Sequence, residues 1–92
     1  MHIANVKTTA EWTKLEDLIS AAKGTTFTFK ADTNYHITNV GGYNVNLIDT
    51  DQNPIVDEGF PLSIKEQCGY KKGSKDVYVK CEGGALHIEE EE

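Results

Sequence analysis

The stretch Asp76-Val77-Tyr78-Val79-Lys80-Cys81-Glu82-Gly83-Gly84-Ala85-Leu86-His87-Ile88-Glu89 sets apolar side chains at every second position on both sides of a double glycine. A period of two is that of a strand with one buried face. Val77, Val79 and Cys81 then share one side of a strand, with Tyr78 and Lys80 opposite. Leu86 and Ile88 oppose His87 in the next strand, and Gly83-Gly84 reads as the hairpin turn between them.

The same period recurs upstream. Thr25 to Lys30 carries Phe27 and Phe29 on one side, Tyr35 to Val40 carries Tyr35 and Ile37, and a third strand carries Tyr43, Val45 and Leu47. Ala31 to Asn34 and Gly41-Gly42 read as hairpin connections. A shorter strand spans about Phe60 to Ile64, where Pro61 is tolerated best on a sheet edge. Gln67 to Lys75 reads as a turn-rich connection.

One segment changes period. Trp12, Leu15, Leu18, Ile19 and Ala22 form a single stripe at helical spacing. Thr8 and Glu11 stand at capping-box distance before it, and Lys23 and Gly24 end it with a cation and a left-handed stop. The fold class expected is mainly β (α+β by count). One N-terminal helix, about residues 9–23, packs through Trp12 onto a small six-stranded antiparallel β-sandwich or barrel. Residues 1–92 read as one domain, with a β region over about 25–89 and an acidic tail over 89–92.

Ninety-two residues support one modest core. No apolar run reaches the length of a membrane helix, and Met1 to Lys7 lacks the apolar centre of a signal peptide, so the expected place of synthesis is a cytoplasm. Of the net charge of −6, four units belong to Glu89, Glu90, Glu91 and Glu92. Lysines gather late, at Lys65, Lys71, Lys72, Lys75 and Lys80. Arginine is absent, which removes the usual fork for phosphates and guanines and argues against nucleic-acid binding. Cys68 and Cys81 lie outside any Cys-x-x-Cys pair and read as two separate, half-buried thiols, with no zinc site.

Catalytic material is sparse. Ser20, Ser63 and Ser74 lie in no nucleophile elbow, and His2, His36 and His87 are far apart in the chain. No phosphate-binding glycine motif is present, so neither enzyme activity nor a cofactor is expected. Asp49-Thr50-Asp51-Gln52-Asn53 begins like a calcium loop, with Asp49, Asp51, Asn53 and Asp57 as candidate ligands. It departs at Pro54, where a glycine is needed, and at Phe60, where a bidentate glutamate is needed; a polar turn is the plainer reading. Gly69-Tyr70-Lys71-Lys72-Gly73-Ser74-Lys75 reads as a hairpin tip or as an exposed contact loop, with a tyrosine beside charge. Such a loop suits an acidic partner, including the glutamate tail of a second copy.

The Trp-x-x-Leu-x-x-Leu-Ile helix, the phenylalanine-rich segment, the Tyr-x-Ile strand and the ending Val77-Tyr78-Val79-Lys80-x-x-Gly-Gly-x-Leu86-x-Ile88 together resemble small β-rich virion proteins of tailed bacteriophages. These include capsid decoration proteins, head-fibre bases and tail-associated modules. The resemblance covers most of the chain from Trp12 onward and rests on style rather than on one diagnostic motif. It implies a structural protein made in a host cytoplasm and built into a virion as a homo-oligomer, often a trimer, bound to other virion proteins and without cofactor, nucleic acid or membrane. Trp12, Tyr70, Lys71, Lys72 and Tyr78 are the protein-contact candidates. Two rivals stand beside it. One is a carbohydrate-binding module using Tyr43 or Tyr78 with Asn44 and Asn46; the other is a phage-encoded inhibitor of a host protein.

Overall fold

The computed structural model describes residues 1–51 and 59–91. In chain order the elements are β1 (His2–Lys7), β2 (Thr13–Lys14), α1 (Leu15–Lys23), β3 (Asn34–Asn39), β4 (Val45–Thr50), β5 (Phe60–Leu62), β6 (Gln67–Lys71), β7 (Asp76–Lys80) and β8 (Ala85–Glu90). They form two four-stranded antiparallel sheets, ordered β1-β8-β3-β6 and β2-β7-β4-β5. The pairing is nested, β1 with β8, β2 with β7, β3 with β6 and β4 with β5. A ribbon of nested antiparallel pairs folded over onto itself is the jelly-roll topology.

Period-two patterning builds the core. Ala4, Val6, Tyr35, Ile37, Leu86 and Ile88 face inward from the first sheet, and Val45, Leu47, Leu62, Val77 and Val79 from the second. Each large side chain so buried contributes about 1.5–3 kcal/mol. Helix α1 adds Leu15 and Ile19, both fully buried. It packs against β1 of one sheet and β2 and β7 of the other, and so closes the flank where β1 and β2 are edge strands. Glu16 and Asp17 in its first turn and Lys23 in its last suit the helix dipole, and Gly24 ends it in the left-handed region at φ 74°.

Several sequence expectations are corrected. Among the described residues there are eight strands, not six: Thr25–Lys30 is not one, while His2–Lys7, Thr13–Lys14 and Gln67–Lys71 are. The helix begins at Leu15 rather than near residue 9. Thr8 does not cap it, since its hydroxyl donates to the Cys81 carbonyl at 2.5 Å, and Thr13–Lys14 pairs with β7 instead. Trp12 consequently lies outside the helix, half-buried, and Leu15 and Ile19 pin the helix in its place. Thr25 to Lys30 keeps its alternation, with Phe29 buried and Thr28 exposed, but is not a strand. Its amides are taken by side chains: Phe27 N–H by Ser20 Oγ (2.9 Å), Phe29 N–H by Glu16 Oε2 (2.8 Å) and Lys30 N–H by the Tyr35 hydroxyl (2.8 Å). Gly41-Gly42 and Gly83-Gly84 are not hairpin turns, because each joins strands of different sheets. Glu89 and Glu90 belong to β8 rather than to a tail.

The chain passes between the sheets six times, and these crossovers run side by side in pairs. Where β1 leads to β2 and β7 leads to β8, Thr8 N–H donates to the Gly84 carbonyl (3.0 Å) and Cys81 N–H to the Thr9 carbonyl (2.9 Å), beside the Thr8 hydroxyl bond. Where β3 leads to β4 and β5 leads to β6, the Asn39 amide donates to the carbonyls of Tyr43 (2.7 Å) and Leu62 (2.9 Å), and its oxygen accepts Gly41 N–H (3.0 Å). In the third pair, Glu16 on α1 accepts from Lys72 Nζ at 2.9 Å, and Ala31 bridges Lys72. Thr8 and Asn39 are the buried polar residues among those described, at 6% and 0% exposure. Gly41 and Gly84 serve close approach. A Cβ on Gly41 would lie 2.7 Å from the Ala85 nitrogen, and one on Gly84 would lie 2.5 Å from the Thr8 hydroxyl.

A buried polar group stripped of its partner costs about 1–3 kcal/mol. Asn39→Ala orphans groups on two crossovers and is expected to lower stability by about 3 kcal/mol or more; Thr8→Val, nearly isosteric, should cost about 1–2 kcal/mol. Urea unfolding followed by circular dichroism checks both, with the midpoint falling and the slope unchanged.

Candidate interaction surface

The alternation that buries Val77 and Val79 turns Asp76, Tyr78 and Lys80 outward from β7. Cross-strand register supplies their neighbours. Tyr78 lies between Lys14 of β2 and Ile48 of β4, and Lys80 lies beside Asn46, which in turn faces Pro61 of β5. Trp12, just before β2, stacks over Lys80, whose Nζ is 5.9 Å from the ring centroid. Lys14 and Asp76 are 3.5 Å apart, and Asp76, followed by Tyr78, holds the Lys14 ammonium above its ordinary range. Pro61 of edge strand β5 completes this side, whereas Phe60, 53% exposed, shares the other side with Leu62 and Leu47. The outer side of this sheet is therefore an aromatic and aliphatic surface set with lysines.

Of the five contact candidates, Trp12 and Tyr78 lie on this surface, linked through Lys80 and Lys14; the others do not. Tyr70 points inward from β6, half-buried, with its ring 4.9 Å from that of Phe29. Phe29 also meets Tyr35 at 4.8 Å and Phe27 at 5.1 Å, so these four rings close one end of the sandwich. Lys72 is engaged by Glu16 and, at 3.8 Å, by Asp76. Lys71 is exposed on β6, opposite Asn34. The expected basic tip is thus a strand end and following turn in which Lys71 and Lys75 are exposed and Lys72 is ion-paired within the chain.

The acidic end has partners of its own. Glu90 pairs with Lys30 at 3.1 Å, and Glu91 N–H donates to the Asn34 carbonyl at 2.9 Å. Of the carboxylates that the sequence offered to a neighbouring copy, that of Glu90 is paired with a lysine of its own chain, and Glu92 lies outside the described residues. Of the calcium candidates, Asp49 and Asp51 are exposed, whereas Asn53 and Asp57 lie outside the described residues. Among the described residues no three His, Cys, Asp or Glu side chains are grouped to hold a metal ion, and no helix is long and apolar enough to cross a membrane. Cys68 and Cys81 are free, half-buried thiols, and burial pushes the Cys68 thiol up.

One grouping was hidden in the sequence. His2, His36 and His87 all lie on the outer side of the β1-β8-β3-β6 sheet. The rings of His2 and His87 stack at 4.9 Å. His87 Nδ1 is 2.7 Å from Asn5 Oδ1 and its Nε2 3.9 Å from Glu89; His36 Nδ1 is 3.2 Å from Gln67 Oε1 and its Nε2 3.5 Å from Glu91. Eighty-five residues separate His2 from His87, so only the closing β1–β8 pair unites them.

Comparison with known proteins returns no matching family model, no matching curated protein and no matching solved structure.

The Tyr70 hydroxyl is pushed up to about 12, first by burial and then by the negative charges of Asp49, Glu16 and Asp76. An unfolded tyrosine titrates near ~10. Its contribution to stability is therefore full below about pH 10 and is lost as pH rises through the folded value of about 12. Absorbance titration at the phenolate band should show a late-titrating tyrosine that is absent from Tyr70→Phe, and that variant should lose part of the alkaline destabilisation.

Proposed function

We propose that this protein is a non-enzymatic assembly module, a virion component of the tailed-bacteriophage kind, made in a host cytoplasm, that self-associates and docks on a larger virion protein. The observation that carries the reading is the outer surface of the β2-β7-β4-β5 sheet. There Trp12, Tyr78, Ile48 and Pro61 offer rigid apolar area, and Lys14 and Lys80 frame it. Tryptophan and tyrosine supply much contact energy for little lost side-chain entropy, which is why they concentrate at binding hot spots. The jelly-roll topology is compatible with this use, being shared by viral capsid domains, lectins and others; fold alone assigns no function, so the surface carries the argument.

A second reading uses the same surface for carbohydrate. Tyr78 faces outward with Asn46 two residues along the neighbouring strand, an aromatic platform beside an amide that can bond hydroxyls. Tyr43, 63% exposed, stands apart from it beside Gly83.

An epitope-tagged chain expressed in cells producing the particle should sediment with finished virions. A Trp12→Ala, Tyr78→Ala double variant with an unchanged circular dichroism spectrum should remain in the supernatant. A wild-type chain that never sediments with particles overturns the virion assignment. A glycan-array signal abolished by Tyr78→Ala would favour the carbohydrate reading instead.

A further inference from the structure

The four sheet edges are unequally protected. β1 is flanked by α1, with Lys23 Nζ 3.4 Å from the Ile3 carbonyl. β2 is two residues long, and β5 is three residues long with Pro61, which has no N–H to offer, at its centre. β6 is different. It runs five residues, Gln67–Lys71, pairs through one side with β3, and among the described residues has no strand on its other side. Such an edge presents a row of backbone donors and acceptors that templates a further strand.

The β6 sequence suits one occupant, itself. Antiparallel pairing of two β6 strands about a two-fold axis through Gly69 sets Gln67 opposite Lys71 and Cys68 opposite Tyr70, using the whole strand. One step beyond, Glu66 falls opposite Lys72, whose ammonium is already held by Glu16 of its own chain. No like charges meet in this register, whereas a two-residue slip towards the C-terminus sets Lys71 against Lys71. Gly69 at the axis has no side chain, and a Cβ there would find nothing nearer than the Tyr35 carbonyl at 4.0 Å, so the face to which a side chain would point is open at the strand centre. The inward-facing residues gain most. Cys68 and Tyr70 are only half-buried at the flank of the core, and the pairing would cover each with the other's counterpart.

We infer that two copies of this chain join edge to edge through β6, Gly69 against Gly69, merging their first sheets into one of eight strands. The inference rests on the self-association part of the proposed function but uses a surface separate from Trp12 and Tyr78, so the two sites can fail independently.

Directly opposed residues of an antiparallel pair have Cα atoms about 4.5–5.5 Å apart, within the range a disulfide spans. In a Cys68→Ser, Cys81→Ser background, Gly69→Cys should therefore oxidise to a reducible species of twice the chain mass, in more than roughly half of the protein. Ala21→Cys, on the exposed side of α1, should yield several-fold less. Hydrogen exchange on the unmodified chain gives an independent reading, with β6 amides slowing as concentration rises from micromolar to hundreds of micromolar. Cross-linking no better than the Ala21→Cys control, together with concentration-independent β6 exchange, overturns the edge pairing. If the native mass is then still a multiple of one chain, self-association stands and runs through another surface; if it is one chain, self-association fails too.

Discussion

An antiparallel ribbon that folds over on itself must break its hydrogen-bond ladder wherever it turns from one sheet to the other. The backbone groups exposed by that break lie close to the core, where water cannot satisfy them cheaply. This constraint governs the molecule. Nested pairing brings the crossovers together two by two, and each pair is held by side-chain chemistry: Thr8 in the first, Asn39 in the second, Glu16 with Lys72 in the third. Asn39 is the strongest case, because its single amide serves both crossovers and uses donor and acceptor at once. Without these three anchors the two sheets would share a hydrophobic interior but no defined corners.

The anchors also shape the outside. Because Glu16 engages both Phe29 N–H and Lys72, the chain after α1 is drawn across one end of the sandwich, and its phenylalanines meet Tyr35 and Tyr70. Residues that look like surface chemistry in a linear sequence are thereby consumed in construction. What remains outward is set by strand period alone, an aromatic and lysine surface on one sheet and a histidine and glutamate surface on the other.

The strands that alternate cleanly were legible. Val77 with Val79, Leu86 with Ile88, and Tyr35 with Ile37 face inward as their spacing requires. Legibility failed wherever a distant partner outweighed a local signal. Thr8 and Glu11 spell a capping box, yet the Thr8 hydroxyl has a better use seventy-three residues away. Phe27 and Phe29 alternate like a strand, but their amides were claimed by Ser20 and Glu16 before any ladder could form. Double glycines fit hairpin turns and sheet-changing corners equally well, and only the nested order separates the two. Gln67–Lys75 looked like a turn because glycine and lysine dominate it, whereas its first five residues, as an edge strand, need only one side turned to the core. On the candidate surface, Tyr78 was readable from its outward position, while its sharing that surface with Trp12 depends on β2–β7 register that no local pattern encodes.

The pairing of the first strand with the last has a kinetic meaning. His2 lies against Glu89, and the Met1 ammonium donates to the Glu90 carbonyl at 2.6 Å. The opening residues thus have no place in the sheet until the closing ones exist. Contacts of such long sequence separation form late, after most of the loop entropy has been lost, and folds rich in them fold slowly. On a ribosome, β1 must wait, unpaired, until β8 has been made. The nested order that makes the finished domain compact therefore makes its folding wait on its last strand, and sets β1 and β8 side by side in one sheet.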